Sequence, residues 1–394
     1  MSGVVDLFAG IGGVARGFVD GGGFTVAGMI DNDPDARDTY LHNFPGDNYL
    51  LGDVARLTRR EVKLLRGEGA VGLLGCPPCQ GFSPAGARKR RDPRNRLLNS
   101  FFSTLDLFQP LFFVMENVPA VAYQRRLREL LSERADRYAT CVGVLNSACY
   151  GLPQTRERAI VIGYRRELEL TPTLPVPTHF GSRPVFDYRS QGLRKPRLEN
   201  IEALLGVAPP IGVLERKRHS MRALLPERPE LLADLVGVAD AIGDLPRLDG
   251  GRVGKPGGYA MSLRADGEAP NHEGWRHRPE LVARLARVPE GGRPKSAKRY
   301  YSQAYARLHR RGLARTVTTN FHNAGCGRFT HYDEARTLTV REAARLQGFP
   351  DSFEFIGDRS LQERLVGNAF PRLWAEAIGR HIAAELGDLL PAAA

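Results

Sequence analysis

The chain lacks any apolar run near the ~18 residues that a membrane-spanning helix requires. That excludes a helical membrane anchor and leaves a chain with no membrane partner. No basic-then-apolar leader precedes the first apolar stretch, which begins at Val4. The expectation is a protein without a signal peptide that works in the cytoplasm. Cysteine is scarce. Cys76, Cys79, Cys141, Cys149 and Cys326 form an odd, scattered set of 5 without zinc-ligand spacing. This argues against a disulfide framework or a metal site and for reduced thiols. There is no internal repeat. The glycine turn at Gly10–Gly13 is too short for a phosphate cradle and no Lys-Ser/Thr follows it, so a nucleotide-triphosphate loop is excluded. Acidic residues fall short of basic ones, 44 against 56, for a net charge of +12. Such an excess favours a polyanionic partner, although a general richness in Arg, Ala and Gly would raise the charge as well.

At 394 residues the chain exceeds the length over which one hydrophobic core keeps growing. Apolar strands are expected at Val4–Phe8, Thr25–Ile30, Val71–Leu74, Leu111–Met115 and Ala159–Tyr164. Amphipathic stretches between them, Pro34–Asn43, Arg96–Phe108 and Val121–Leu131, read as helices. Strands alternating with helices predict an α/β fold, a doubly wound and mostly parallel sheet. After about residue 167 the pattern changes. Pro172, Pro175, Pro177, Pro184 and Pro196 crowd in, then basic and glycine-rich loops follow. A second, smaller, irregular domain is expected there. Periodicity returns at Leu338–Gly348 and in a final helix over Leu373–Leu386. The division predicted is 1–168, 169–315 and a return to the first domain over 316–394.

Two segments carry most of the chemistry. Gly75–Ser83 (GCPPCQGFS) places Cys79 on a proline-flanked turn, where a nucleophile fits better than a buried strand residue. Its rival Cys76 almost directly follows a strand and is expected to pack beneath the loop. A free thiol is mostly protonated at neutral pH, so positive charge must help. Arg88–Arg96 supplies it in sequence. Glu116, in Glu116-Asn117-Val118, ends an apolar strand 37 residues after Cys79. Partial burial would raise its pKa and let it act as a donor. The alternative is an acid capping the helix after Pro119. Gln154-Thr155-Arg156-Glu157-Arg158 precedes another strand, and Arg156 and Arg158, two apart in an extended segment, should point to one side. The first strand runs into Asp6-Leu7-Phe8-Ala9-Gly10-Ile11-Gly12-Gly13, and Asp31 lies 18 residues after Gly13, near the offset at which a carboxylate meets ribose hydroxyls. A turn of this kind can equally serve only to pack a helix. Asp53 can equally cap a helix near Thr58–Leu65.

Taken in order, PCQGFS, ENV, QTRER, REAARLQGFP and GNAF resemble the blocks of the DNA (cytosine-5)-methyltransferases. The resemblance covers 4–165 and about 315–385. It implies an S-adenosylmethionine-dependent methyltransferase sheet and double-stranded DNA as partner. It places the cofactor against Phe8, Gly10, Gly12, Asp31, Asp53, Val54, Pro78, Asn368 and Phe370, the last standing where the family often has valine. Catalysis would fall to Cys79, Glu116, Arg156 and Arg158. DNA contacts would come from Gln80, Ser83, Arg88, Arg90, Arg91 and Arg94, on a segment that clamps phosphates. The variable stretch of 170–315 corresponds to target recognition, with Asp240–Pro246 and Ala314–Asn320 as framework and with Arg252, Lys255, Asn271, His272 and Arg276 as groups able to read a groove. A cognate restriction endonuclease acting on the same site without direct contact, a monomeric state and a nucleoid location are also implied. Three other readings stay open: a tRNA cytosine-5 methyltransferase of the same fold, a regulatory paralogue without activity, and a cofactor-binding oxidoreductase.

Overall fold

A computed structural model describes residues 2–67, 69–78, 96–179, 233–267, 269–294 and 303–390. Its first five strands are β1 (Gly3–Leu7), β2 (Thr25–Asp31), β3 (Tyr49–Leu51), β4 (Ala70–Gly75) and β5 (Phe112–Asn117), followed by β6 (Tyr138–Asn146), β7 (Gln154–Thr155), β8 (Glu157–Arg165) and β9 (Ala314–Arg315). Among these residues the main sheet has seven strands in the order β3-β2-β1-β4-β5-β8-β6, and β7 pairs with β9 separately. β1 through β5 are parallel, and β8 runs antiparallel to both β5 and β6. The expected sheet is therefore present, with one strand, β8, running against the rest. Only residues 147–156 join β6 to β8. That is fewer than the dozen or so a parallel crossover needs, so the chain turns straight back.

β1 and β4 are buried at every residue. Runs of this kind lie in sheets covered on both faces. On one face Val5, Leu7, Leu73, Phe113 and Met115 pack with α3 (Arg59–Arg66), α4 (Arg96–Phe108) and α5 (Arg125–Ser132), which follow α1 (Gly13–Gly22) and α2 (Pro34–Asn43). The other face sets Val4, Leu74, Phe112 and Val114 against Phe18 of α1 and Trp374, Ile378 and Ile382 of the last helix. The later helices are α6 (Val238–Ile242), α7 (Gly258–Leu263), α8 (Pro279–Ala286), α9 (Val340–Leu346), α10 (Arg359–Asn368) and α11 (Arg372–Leu386). The helix expected over Val121–Leu131 divides into a 3₁₀ turn, Pro119–Tyr123, and α5. β3 and β6 have no counterpart in the sequence reading: one is three residues long, and the other mixes Thr, Cys and Gly into its pattern.

Residue 315 does not end a packing unit. Val238, Ala241, Ile242, Leu245 and Leu308 share a cluster with Val317, Phe321, Leu338, Val340 and Leu346. Arg345 joins the two stretches, donating to Asp351, Asp244 and the Ala241 carbonyl. The framework reading of Asp240–Pro246 and Ala314–Asn320 agrees with that packing. In this cluster's neighbourhood His331, Glu334 and Glu342 converge. Arg336 spans both carboxylates at 2.8 and 2.7 Å, so they form a buried ion-pair network rather than a cation site.

In the strand order, β1 lies between β2 and β4, so successive connections leave in opposite directions there. Parallel α/β sheets bind ligands at such a switch point, outside the strands' carboxyl ends.

Candidate active site

A cavity of about 550 Å³ opens at that place. It is within the range of small-molecule sites. Residues from the whole length of the chain line it: Phe8 and Gly10 after β1, Asp31 at the end of β2, Asp53 and Val54 after β3, and Pro78 after β4. Glu116 enters from the end of β5, Arg156 and Arg158 from the β7–β8 junction, and Asn368 and Phe370 from the α10–α11 junction. These eleven were expected from sequence. Cys79, Gln80, Ser83, Arg88, Arg90, Arg91 and Arg94 lie outside the described residues.

Gly12 is the exception. It is absent from the lining, and a Cβ there would lie 2.3 Å from the Tyr40 ring. Gly13 faces the Phe370 carbonyl, where a Cβ would come within 2.2 Å. Both are needed for packing, and Gly13 lines the cavity as well. Gly10 differs: φ is +53° and a Cβ would meet nothing within 4 Å. Here the backbone is bare toward the cavity.

The turn around Gly10 is held by three backbone donors. Ala9 N–H donates to Ile30 O, Gly10 N–H to Asp31 Oδ2 at 2.9 Å, and Gly12 N–H to Ala9 O. Asp31 also accepts from Asp33 N at 2.9 Å, which fixes its carboxylate at the rim. Burial raises its pKa, while these backbone donors oppose the shift. Asp53 both lines the cavity and caps a short 3₁₀ turn, accepting from Ala55 N at 2.9 Å. It does not cap α3, whose N-cap is Thr58 in a box with Glu61.

At the other end, Arg158 Nε lies 2.7 Å from Glu116 Oε1, with both side chains largely buried. Register explains the meeting, since Glu116 of β5 pairs with Ile160 of β8, two residues along from Arg158. Arg158 Nη1 donates to the Glu157 carbonyl at 2.7 Å. Its Nη2 has no hydrogen-bond partner among the described residues. Arg156 is buried and its Nε also lacks a partner, while burial first and Arg158 second lower its pKa to about 9. Asn117 donates to the Pro77 carbonyl at 2.9 Å and so ties β5 to the proline turn. Glu116 sits on the strand and does not cap the turn after Val118.

Cys76 lines the cavity and also packs against the core cluster on that side of the sheet. It follows β4 directly, and Gly75 pairs with Met115, which brings it alongside Glu116. Burial and that carboxylate push its thiol well up. A thiol kept protonated is a poor nucleophile.

Sequence reasoning missed several lining residues: Ile11, Asn32, Asp33, Asn117, Leu365 and Thr316–Thr319. The threonines fall within the segment read as framework. Gln154 holds them there, accepting from Val317 N at 3.2 Å and donating to Leu346 O at 2.9 Å. Two groups expected to read DNA are engaged elsewhere. Asn271 exchanges two hydrogen bonds with the Phe355 backbone, and both ring nitrogens of His272 are taken by Thr339 and Pro246. Arg252, Lys255 and Arg276 stay exposed.

No helix among the described residues is long and apolar enough to cross a membrane. A family model for C-5 cytosine-specific DNA methylases matches residues 3–384. The chain is 30% identical over 392 residues to the type II methyltransferase M1.HphI of Haemophilus parahaemolyticus, covering 96% of this chain and 86% of that protein. It is 27% identical over 420 residues to M.DdeI of Desulfomicrobium norvegicum, covering 96% and 88%. The fold is similar to a prophage-encoded DNA modification methyltransferase of E. coli, with TM-score 0.71, 24% identity and coverage of 98% and 100%. It is also similar to the S. pombe Dnmt2 methyltransferase, with TM-score 0.58, 15% identity and coverage of 99% of each chain. With its sheet, cavity and blocks in this order, the chain belongs to the family of C-5 cytosine-specific DNA methylases.

Proposed function

We propose that the chain methylates C5 of a flipped-out cytosine within a specific double-stranded DNA sequence, through a covalent bond between Cys79 and C6. The observation that carries this reading is the Glu116–Arg158 pair at 2.7 Å on the wall of a cavity whose other end is a bare glycine turn and two carboxylates. The residues fit S-adenosylmethionine. Gly10 leaves open space, Asp31 and Asp53 offer acceptors, and Ile11, Gly13 and Val14 keep N–H groups without a protein acceptor among the described residues. When bound, the cofactor supplies the electrophilic methyl group that C5 takes.

Cytosine C5 is too electron-poor for that attack unaided. Addition of the Cys79 thiolate at C6 makes an enamine whose C5 is nucleophilic, and negative charge moves toward N3 and O2. In this reading Arg158 binds O2 through Nη2, and Glu116 donates to N3. Loss of the C5 proton and expulsion of the thiolate restore the ring. The thiolate must approach perpendicular to the ring, which stacking blocks in a duplex, so the base must leave the helix at a cost of a few kcal/mol. The Arg88–Arg96 segment offsets this through phosphate contacts. In this reading residues 1–168 and 316–394 carry catalysis and 169–315 target recognition. A cognate restriction endonuclease fits the type II names of the relatives, and the reading is completed by a cytoplasmic, nucleoid-bound monomer.

The test is a duplex carrying 5-fluorocytosine, which blocks the final proton loss. Wild-type protein should form a denaturation-resistant adduct only when S-adenosylmethionine is present. The Cys79→Ser variant should form none, and Cys76→Ser should still form it. An adduct in Cys79→Ser but not in Cys76→Ser would move the nucleophile to Cys76.

A further inference from the structure

The cofactor turn is under backbone strain. Phe8, Gly10 and Gly12 have φ of +57°, +53° and +79° within five residues. For Phe8 this is the left-handed region, which non-glycine residues rarely occupy and which persists only where surroundings over-determine it. Two tyrosines supply part of that constraint from outside the cavity. Tyr40, on α2, lays its ring against Gly12 and is held by Arg16 and Asp47. Tyr49, on the edge strand β3, packs its ring at a tilt of 51° against Tyr40 with centroids 5.6 Å apart and donates its O–H to the Gly10 carbonyl at 2.7 Å. Burial pushes the Tyr49 phenol up, so it remains a donor at any working pH.

The planar trans peptide links that bond to the ligand side. C=O and N–H of one peptide unit point in opposite directions. With the Gly10 carbonyl turned toward Tyr49, the N–H of Ile11 points away from Tyr49, and Ile11 lines the cavity. Its N–H has no protein acceptor among the described residues. Were the peptide to flip, a carbonyl oxygen would take the donor's place and repel an anionic group.

We propose that Tyr49 is a positioning residue of the cofactor site: it fixes the Gly10–Ile11 peptide so that Ile11 N–H faces the cavity as a donor to the α-carboxylate of the cofactor. The proposal rests on the reading of the cavity as an S-adenosylmethionine site. Tyr49 does not line the cavity.

The test compares ligands with and without that carboxylate in Tyr49→Phe, which keeps the ring and its contact with Tyr40. Calorimetry on the full chain should show S-adenosylmethionine and S-adenosylhomocysteine each bound about 3- to 10-fold more weakly than by wild type, the scale of one lost hydrogen bond. 5′-Methylthioadenosine, which has no carboxylate, should bind both proteins alike. The KM for cofactor should rise while kcat at saturation holds. Equal weakening of all three ligands would make Tyr49 a general support of the fold, and no weakening would remove it from the site; either result overturns the proposal. Failure of wild type to bind S-adenosylmethionine would instead overturn the reading of the cavity.

Discussion

Single residues here owe their chemistry to position. Asp6 has the family of contacts expected of a buried acid only in part: Oδ2 accepts from Ala15 N at 3.2 Å, and Oδ1 has no partner. Burial, with Asp31 adding a smaller repulsion, raises its pKa to about 7. The folded state then holds a proton that the unfolded chain releases near pH 4. This group's contribution is full below the unfolded value and is lost as pH rises toward 7, where a buried carboxylate must form. Asp6→Asn cannot ionise. Urea titrations should show the variant gaining stability relative to wild type between pH 4 and 7, by an amount on the order of a few kcal/mol, with no further gain above. A constant difference across that range would mean Asp6 does not titrate in it.

At the scale of elements, close backbone contacts set the cavity's walls. Gly367 on α10 meets the Thr318–Thr319 peptide, and a Cβ there would lie 2.5 Å from Thr318 C and Thr319 N. Both sides of that contact line the cavity. Neither backbone can yield as a flexible side chain would. Gly367→Ala should therefore cost about 1–3 kcal/mol by denaturant titration and weaken cofactor binding at the same time. Unchanged stability would show that α10 is free to shift. α11 makes a similar approach to α1, where a Cβ on Gly17 would stand 2.4 Å from that of Ala375. Small residues at such crossings let the C-terminal helix return beside β1 and bring Phe370 to the site.

For the whole molecule, a net charge of +12 suits a partner with a phosphate backbone but selects no sequence. Selection is expected from the variable stretch. Packing narrows where it lies, because residues 238–245 and 308 belong to a core shared with 317–369. An exchange of all of 170–315 would cut that core. Replacing 180–232 alone with the matching segment of a relative that has another target keeps every described residue of that core. Genome-wide mapping of 5-methylcytosine in a methylation-free host should then show the donor's motif. Retention of the recipient's motif would place base reading on the exposed Arg252, Lys255 and Arg276 instead.

The sequence by itself determined the family. Its short blocks single out Cys79, Glu116 and Arg158 as the groups proposed for catalysis, and long apolar runs bounded by glycine and proline identify five of the sheet's strands. Periodicity reaches that far because burial on both faces of a sheet imposes it residue by residue. Only the tertiary structure decided what depends on meetings between distant segments. It turned Asn271 and His272 from candidate readers into framework and brought Cys76 beside Glu116. It gave Gly12 to packing while leaving Gly10 bare toward the cavity, and set Tyr49 against the Gly10 carbonyl. Each of those outcomes is a contact across tens or hundreds of residues, chosen by strand register and by which backbones can approach, and no local pattern records it.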